Sequence, residues 1–262
     1  MLVFAAFTPH TPLLLPAIGK EHEKELGKTR EALTHLGEEL YASHPDTIVV
    51  LSGHGAHRKD SFSINLHDHY RADLSEFGDL TTTAEFFPDL GLMDTIQRRL
   101  RREEIPFTLF SDPVLDYGTA VPLLALHAPA HTAIVPVCYS GLDAKTHFEF
   151  GRTLKDILLH TNKRVAVIGS GDLSHSLRTD SPAGMHAEGV LFDETVREAV
   201  RSATPSHLLR FPPAKLKRAA ECGYRPLLIL MGLLEGINVL PEELVYEAPF
   251  GVGYLVAHFH FD

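Results

Sequence analysis

Three of the seventeen histidines in this 262-residue chain stand a few residues beyond short apolar runs: His10, His54 and His175. An imidazole nitrogen is a ligand for iron, zinc, copper and nickel, and it also exchanges a proton near neutral pH. The flanking residues permit tight backbone paths: Pro9 and Pro12 around His10, Gly53 and Gly55 around His54, Gly169 and Gly171 before His175. In open α/β sheets, ligands bind beyond the carboxyl ends of the strands. Three histidines at such ends converge if the runs preceding them are neighbours.

The elements that must position them follow from hydrophobic pattern. Leu2–Phe7, Thr47–Leu51 and Arg164–Gly169 read as buried strands, and residues 21–43, between the first two, carry Leu26, Leu33, Leu36 and Leu40 at helical spacing. A strand, a helix and a second strand in that order predict a parallel pair covered on both faces. Phe62–His67 alternates and predicts a half-exposed strand or hairpin, while Pro136 within Thr132–Val137 predicts an irregular or edge strand. Further helices are expected near 92–103, 145–160, 188–202 and 224–236, with strands at Phe107–Phe110 and Tyr254–Phe259. The alternation runs from residue 1 to 262 without a linker or internal repeat. It predicts a single α/β domain with a mostly parallel or mixed sheet flanked by helices and an active site at the carboxyl ends of strands.

Composition narrows the function. With 24 Lys+Arg against 34 Asp+Glu, the formal charge is −10, which argues against a nucleic-acid track. The run Arg98-Arg99-Leu100-Arg101-Arg102 precedes Glu103-Glu104 and reads as a solvated helix face. Two cysteines, Cys138 and Cys222, are too few for a disulfide scaffold, and no stretch approaches the ~18 apolar residues of a membrane span. A soluble protein of the reducing cytoplasm is the expectation.

Two histidines and one carboxylate on a face of an octahedral ion leave sites for substrate and oxygen, the pattern of non-haem Fe(II) oxygenases. The opening Pro9-His10-Thr11-Pro12-Leu13-Leu14-Leu15-Pro16, the turn Ser52-Gly53-His54-Gly55 and the loop Gly171-Asp172-Leu173-Ser174-His175 together resemble the class III extradiol dioxygenases, the protocatechuate 4,5-dioxygenase β-subunit type, and their Memo-like relatives. The resemblance covers nearly the whole chain. It implies Fe(II)-dependent opening, with O2, of a catechol or 2-aminophenol ring, by a homodimer or with a second subunit. It also implies that His10 and His54 are metal ligands, that Glu221 is the third, with Glu247 the weaker candidate, and that His175 is the catalytic base.

Two departures point elsewhere. Tyr117, in Asp116-Tyr117-Gly118, stands where many ring-cleaving relatives carry histidine, and Cys222 adjoins Glu221 in a region where Memo-like proteins carry a cysteine. If Cys222 faces the ion in place of Glu221, a soft thiolate favours zinc or copper and a metal-binding protein with a redox or assembly role. His57, three residues past His54, is a pocket residue or an outer partner of the ligands. His67 and His69 read as an exposed hairpin, and His22, His35, His44, His147, His160 and His207 as surface residues.

Overall fold

A computed structural model of the chain describes residues 1–261. Eleven strands run in chain order: β1 (Leu2–Thr8), β2 (Thr47–Ser52), β3 (Phe62–Asn65), β4 (Tyr70–Leu74), β5 (Asp79–Phe86), β6 (Phe107–Phe110), β7 (Val114–Leu115), β8 (Ala133–Cys138), β9 (Val165–Ser170), β10 (Val239–Glu247) and β11 (Tyr254–Phe261). The α-helices are α1 (Gly27–Ala42), α2 (Leu90–Arg102), α3 (Tyr117–Ala125), α4 (Ala144–Leu159), α5 (Ala187–Ser202), α6 (Ser206–Leu209), α7 (Pro213–Ala219) and α8 (Tyr224–Leu234). They form a single α/β domain around a mixed eight-stranded sheet of order β10-β11-β1-β9-β2-β8-β3-β6. Among these described elements, no helix is long and apolar enough to cross a membrane.

The middle of the sheet is what the site needs. β9 lies between β1 and β2 and is parallel to both, so three adjacent strands end on the same side. β2 and β9 are buried at every position, and β1 at all but Val3, as expected for parallel strands with helices on both faces. α8, apolar and buried at every position but Arg225, packs against both α4 and β9.

Several expectations are corrected. β3 is wholly buried rather than half exposed, because it runs between β8 and β6. Its polar positions are satisfied inside: Ser63 Oγ donates to Ala56 O at 2.7 Å, and Asn65 Nδ2 to Asp112 O at 2.9 Å. Pro136 is irregular but not at an edge: β8 bridges Pro88 at Ile134 and picks up β3 only at Val137, so the proline falls between its partners on that side. The helix α1 begins at Gly27 rather than near Glu21, after a short 3-10 turn at Lys20–His22. His147 is fully buried rather than on the surface, since its ring accepts from Ser140 N and its Nδ1 donates to Asp143 O. A second sheet, β5-β4-β7, and the helix α3 form in stretches to which the sequence pattern assigned no element.

Candidate metal centre

The ends of β1, β2 and β9 bring the three histidine loops together. Nε2 of His10 lies 3.1 Å from Nε2 of His54, and the rings meet edge to face at 4.6 Å. The third member comes from the turn between α7 and α8, where Cys222 Sγ lies 3.2 Å from His10 Nε2. The donor atoms of His10, His54 and Cys222 all fall within 4.8 Å of one another, and those of Asp172, His175 and Cys222 form an overlapping group.

The tautomer of His10 follows from its outer partners. Ser170 Oγ donates to the Gly118 carbonyl, so toward His10 it accepts, from Nδ1 at 2.9 Å. The proton therefore sits on Nδ1, and Nε2 points its lone pair at the cluster. His10 is 1% exposed. Burial, with the neighbouring His175, pushes its pKa down to about 3, and burial with His10 nearby takes His54 down to about 4. Both rings are neutral at pH 7, the form that binds a metal.

The β9–α5 loop is held on two sides. Asp172 Oδ1 accepts from His10 N at 2.9 Å, while Asp172 O accepts from Cys222 N at 3.3 Å. His175 N donates to Ala219 O at 3.0 Å, and Leu173 N to Gly253 O at 2.8 Å. Two glycines allow the α7–α8 turn to approach this closely. A Cβ on Gly171 would fall 2.2 Å from Gly223 Cα, a backbone contact with no flexible partner to yield. Burial raises the pKa of both Asp172 and the Cys222 thiol. A bound cation reverses that preference by its own charge.

Tyr117 is set by the start of α3, where Asp116 caps the helix by accepting from Thr119 N at 3.1 Å and also accepts from Ser52 Oγ at 2.6 Å. The Tyr117 ring stacks on His54 at 4.2 Å, and its hydroxyl lies 3.1 Å from His54 Nε2. Phe77, from the 3-10 turn between β4 and β5, packs edge to face with Tyr117 at 5.2 Å. The inserted second sheet thus supplies one wall of the centre.

His10, His54, His175, Tyr117 and Cys222 are brought together, and Glu221 is turned away. Its Oε2 accepts from Tyr224 N at 2.6 Å, capping the first turn of α8, and burial raises its pKa to about 7. A carboxylate one residue from the ligand position cannot cap the helix and face the cluster at once, and the thiol takes the inner place. Glu247 is also committed elsewhere, accepting from Thr29 N at 3.0 Å and Thr29 Oγ1 at 2.6 Å in the first turn of α1. His57 stands on an exposed loop with its ring 5.3 Å from Tyr139. Asp172 had no separate signal in the sequence beyond its place in the loop that carries His175.

The donor set fits a metal ion. His10 Nε2 lies 3.1 Å from the His54 nitrogen and 3.2 Å from the Cys222 sulfur, with all three donors within 4.8 Å of one another, close to the separation of neighbouring ligands around an ion bound at ~2.0–2.3 Å. In addition, His175 Nδ1 is buried with no hydrogen-bond partner among the described residues.

Comparison with known proteins places the chain in a family and matches its fold. Residues 4–257 match the catalytic LigB subunit of aromatic ring-opening dioxygenase, and the chain belongs to that family. Protein CA_C1420 of Clostridium acetobutylicum is 27% identical over 256 residues, 94% of this chain and 55% of that protein. The chain thus spans about half the length of the curated relative it matches. The crystal structure of uncharacterized protein JW3007 from Escherichia coli K12 has a TM-score of 0.66 over 98% of this chain and 99% of its own, at 19% identity, a likeness of fold.

Proposed function

We propose that this protein is a metal-dependent oxidoreductase on the ring-opening-dioxygenase fold, with its ion held by His10, His54 and Cys222. The observation that carries this reading is the pair of contacts at residues 221 and 222: Cys222 Sγ lies 3.2 Å from His10 Nε2, while the Glu221 carboxylate is bound to Tyr224 N. Two imidazoles and a thiolate form a softer donor set than two imidazoles and a carboxylate, and they favour copper or zinc over Fe(II). When bound, such an ion supplies Lewis acidity or one-electron chemistry toward a phenolic substrate or O2.

The surrounding side chains handle protons. His175, half-buried beside Asp172 and Cys222, takes the proton of a phenolic hydroxyl and returns it to the product. The Tyr117 hydroxyl, whose own pKa is raised by burial, stays protonated and donates a hydrogen bond to a bound oxyanion. Ser170 holds His10 in the ligand tautomer throughout. Both cysteines are free thiols, which supports a reducing compartment such as the cytoplasm.

Fe(II)-dependent extradiol cleavage of a catechol or 2-aminophenol is the second reading, supported by family membership and by a histidine and a tyrosine flanking the two histidine ligands. Loading the protein anaerobically with Cu(I), Zn(II) or Fe(II) against a competing chelator, then adding O2 and a panel of catechols, separates the two. Nitrogen and sulfur sites prefer copper to iron in any case, so the deciding readout is dependence on Cys222. We expect the copper-loaded protein, once O2 has oxidised its ion to Cu(II), to give a thiolate charge-transfer band absent from Cys222→Ser, and no yellow ring-opened product from any form. Rapid ring opening by the Fe(II) form, unchanged in Cys222→Ser, would establish the dioxygenase and end the thiolate-centre reading.

A further inference from the structure

We propose that a second cavity, separate from the metal centre, binds a small organic carboxylate with an apolar body. The cavity is about 550 Å³ and opens between the β8–α4 turn and the α6–α8 helices, within the size range of small-molecule sites. Leu142, Leu209 and Phe211 form its apolar wall, and Lys145, Arg210 and Arg225 are its cations. None of the lining residues belongs to the metal cluster.

The charge arrangement distinguishes this cavity from the rest of the surface. In a chain of formal charge −10, three cationic side chains share one concavity, and none of them makes an ion pair among the described residues. The larger cavity of about 750 Å³ between α2 and the end of α4 is the contrasting case. There Arg98 pairs with Asp94 at 2.8 Å, Arg99 approaches Asp156 at 3.7 Å and Lys163 pairs with Asp89 at 2.5 Å, so of its lysine and arginine side chains all but Arg102 already have an acidic partner. The one acid on the rim of the smaller cavity, Asp143, is occupied as the cap of α4, accepting from Thr146 N at 2.8 Å and Thr146 Oγ1 at 2.7 Å. The Tyr224 hydroxyl donates to Leu208 O at 2.6 Å, which leaves the cavity only the ring.

An anion with an apolar body satisfies both halves of such a wall. Its carboxylate takes charge-assisted hydrogen bonds from the cations, and its hydrocarbon portion covers the leucines and the phenylalanine. Arg225 also lies over the Tyr139 ring at 5.4 Å, and that ring packs so closely on Gly53 that a Cβ there would fall 2.1 Å from Tyr139 Cε1. The occupant therefore sits one aromatic ring away from the loop that carries His54.

Titration calorimetry of the purified full chain with 3-phenylpropionate, 3-phenylpropan-1-ol and acetate tests the proposal. The acid is expected to bind at least ~10-fold more tightly than the alcohol, a tenfold ratio being about 1.4 kcal/mol, and acetate should give no detectable heat. Lys145→Gln and Arg210→Gln, both at exposed positions, should each weaken the acid ~2–5-fold and leave the alcohol unchanged, consistent with the worth of single solvent-exposed ion pairs. Equal affinity for acid and alcohol, absence of binding by all three, or acid binding that survives the double variant would overturn the assignment. So would binding that is lost in His10→Ala yet intact in the double variant, since the carboxylate would then be at the metal centre.

Discussion

Cys222 Sγ and His10 Nε2 lie 3.2 Å apart although 212 residues separate them in the chain. Neither residue reaches the other by its own element alone. His10 is delivered by the end of β1, Cys222 by a two-glycine contact between the α7–α8 turn and the end of β9. Because burial holds the Cys222 thiol in its protonated form, ion binding must release that proton, and affinity for the metal rises with pH.

Exchanging the side chains at 221 and 222 should have opposite consequences. Cys222→Ser keeps both imidazoles and removes the soft donor, so affinity for Cu(I) or Zn(II) should fall by roughly 100-fold, about 2.8 kcal/mol. Glu221→Gln keeps an acceptor for Tyr224 N and should bind metal as the parent does. Glu221→Ala should also keep the metal but lose about 0.5–2 kcal/mol of stability with the α8 cap. Chelator competition and urea denaturation on the three variants read both quantities, and loss of metal in Glu221→Gln would return the carboxylate to the ligand set.

Gly171→Ala tests the close approach itself. The added methyl meets Gly223 Cα at 2.2 Å, so the β9 loop and the α7–α8 turn must separate. Overpacking of this kind costs about 1–3 kcal/mol, and it also draws Asp172 away from Cys222. We expect lower stability and weakened metal binding with every ligand side chain still present. A crystal structure in which the distance from Cys222 Sγ to His10 Nε2 is unchanged would refute the coupling.

The three strand-end histidines were legible because parallel strands are continuous apolar runs and their loops are punctuated by glycine and proline, as at Gly53-His54-Gly55. The choice between Glu221 and Cys222 was not legible. Adjacent residues share a backbone position, and which one faces inward depends on the αR backbone at Gly223 and the cap at Tyr224 N. Burial of His147 was hidden for a related reason: its place in α4 looks amphipathic, and only the fold shows Ser140 folded over its ring. The second sheet escaped because β4 and β7 are short, β5 is exposed on alternate residues, and β7 joins β4 only after the chain returns at Val114.

His147 should make the metal-free protein acid-sensitive. Burial lowers its pKa from 6.5 to about 4, and its Nε2 faces the Ser140 N–H, a donor, with only the Ser140 hydroxyl at 3.4 Å as a long-range acceptor for a proton there. Between pH 6.5 and about 4 the unfolded chain holds a proton that the folded chain lacks. This contribution is present above pH 6.5 and is lost as pH falls toward about 4, at up to about 1.4 kcal/mol per pH unit. His147→Gln removes the titration while keeping an acceptor for Ser140 N. Urea midpoints from pH 4 to 7 should then rise less with pH than in the parent, and parallel curves would show that His147 does not titrate across the transition.

Asp193 should act with the opposite sign. It is 2% exposed and accepts from Ser174 N at 2.8 Å and from the Tyr246 hydroxyl at 2.7 Å, which ties α5 to the residue before His175. Burial raises its pKa from 3.8 to about 7, so over that range the folded protein holds a proton that the unfolded chain has released. Stability from this group is fully present below pH 3.8 and is lost as pH rises through about 7. Asp193→Asn keeps an acceptor for Ser174 N and no longer titrates, so its urea midpoint relative to the parent should climb steadily from pH 4 to 7 and level off above. Asp193→Ala instead strands the buried Ser174 N–H and the part-buried Tyr246 hydroxyl and should cost at least about 1–3 kcal/mol at every pH, the worth of one unsatisfied buried group. Both variants retain His10, His54 and Cys222 and should keep the metal, whereas turnover in Asp193→Ala should fall because His175 loses its anchor. If the Asn variant shows the same pH slope as the parent, the buried carboxyl is ionised across the range, and a counter-charge from Arg197, whose guanidinium lies 4.3 Å from the Tyr246 ring, must then outweigh its burial.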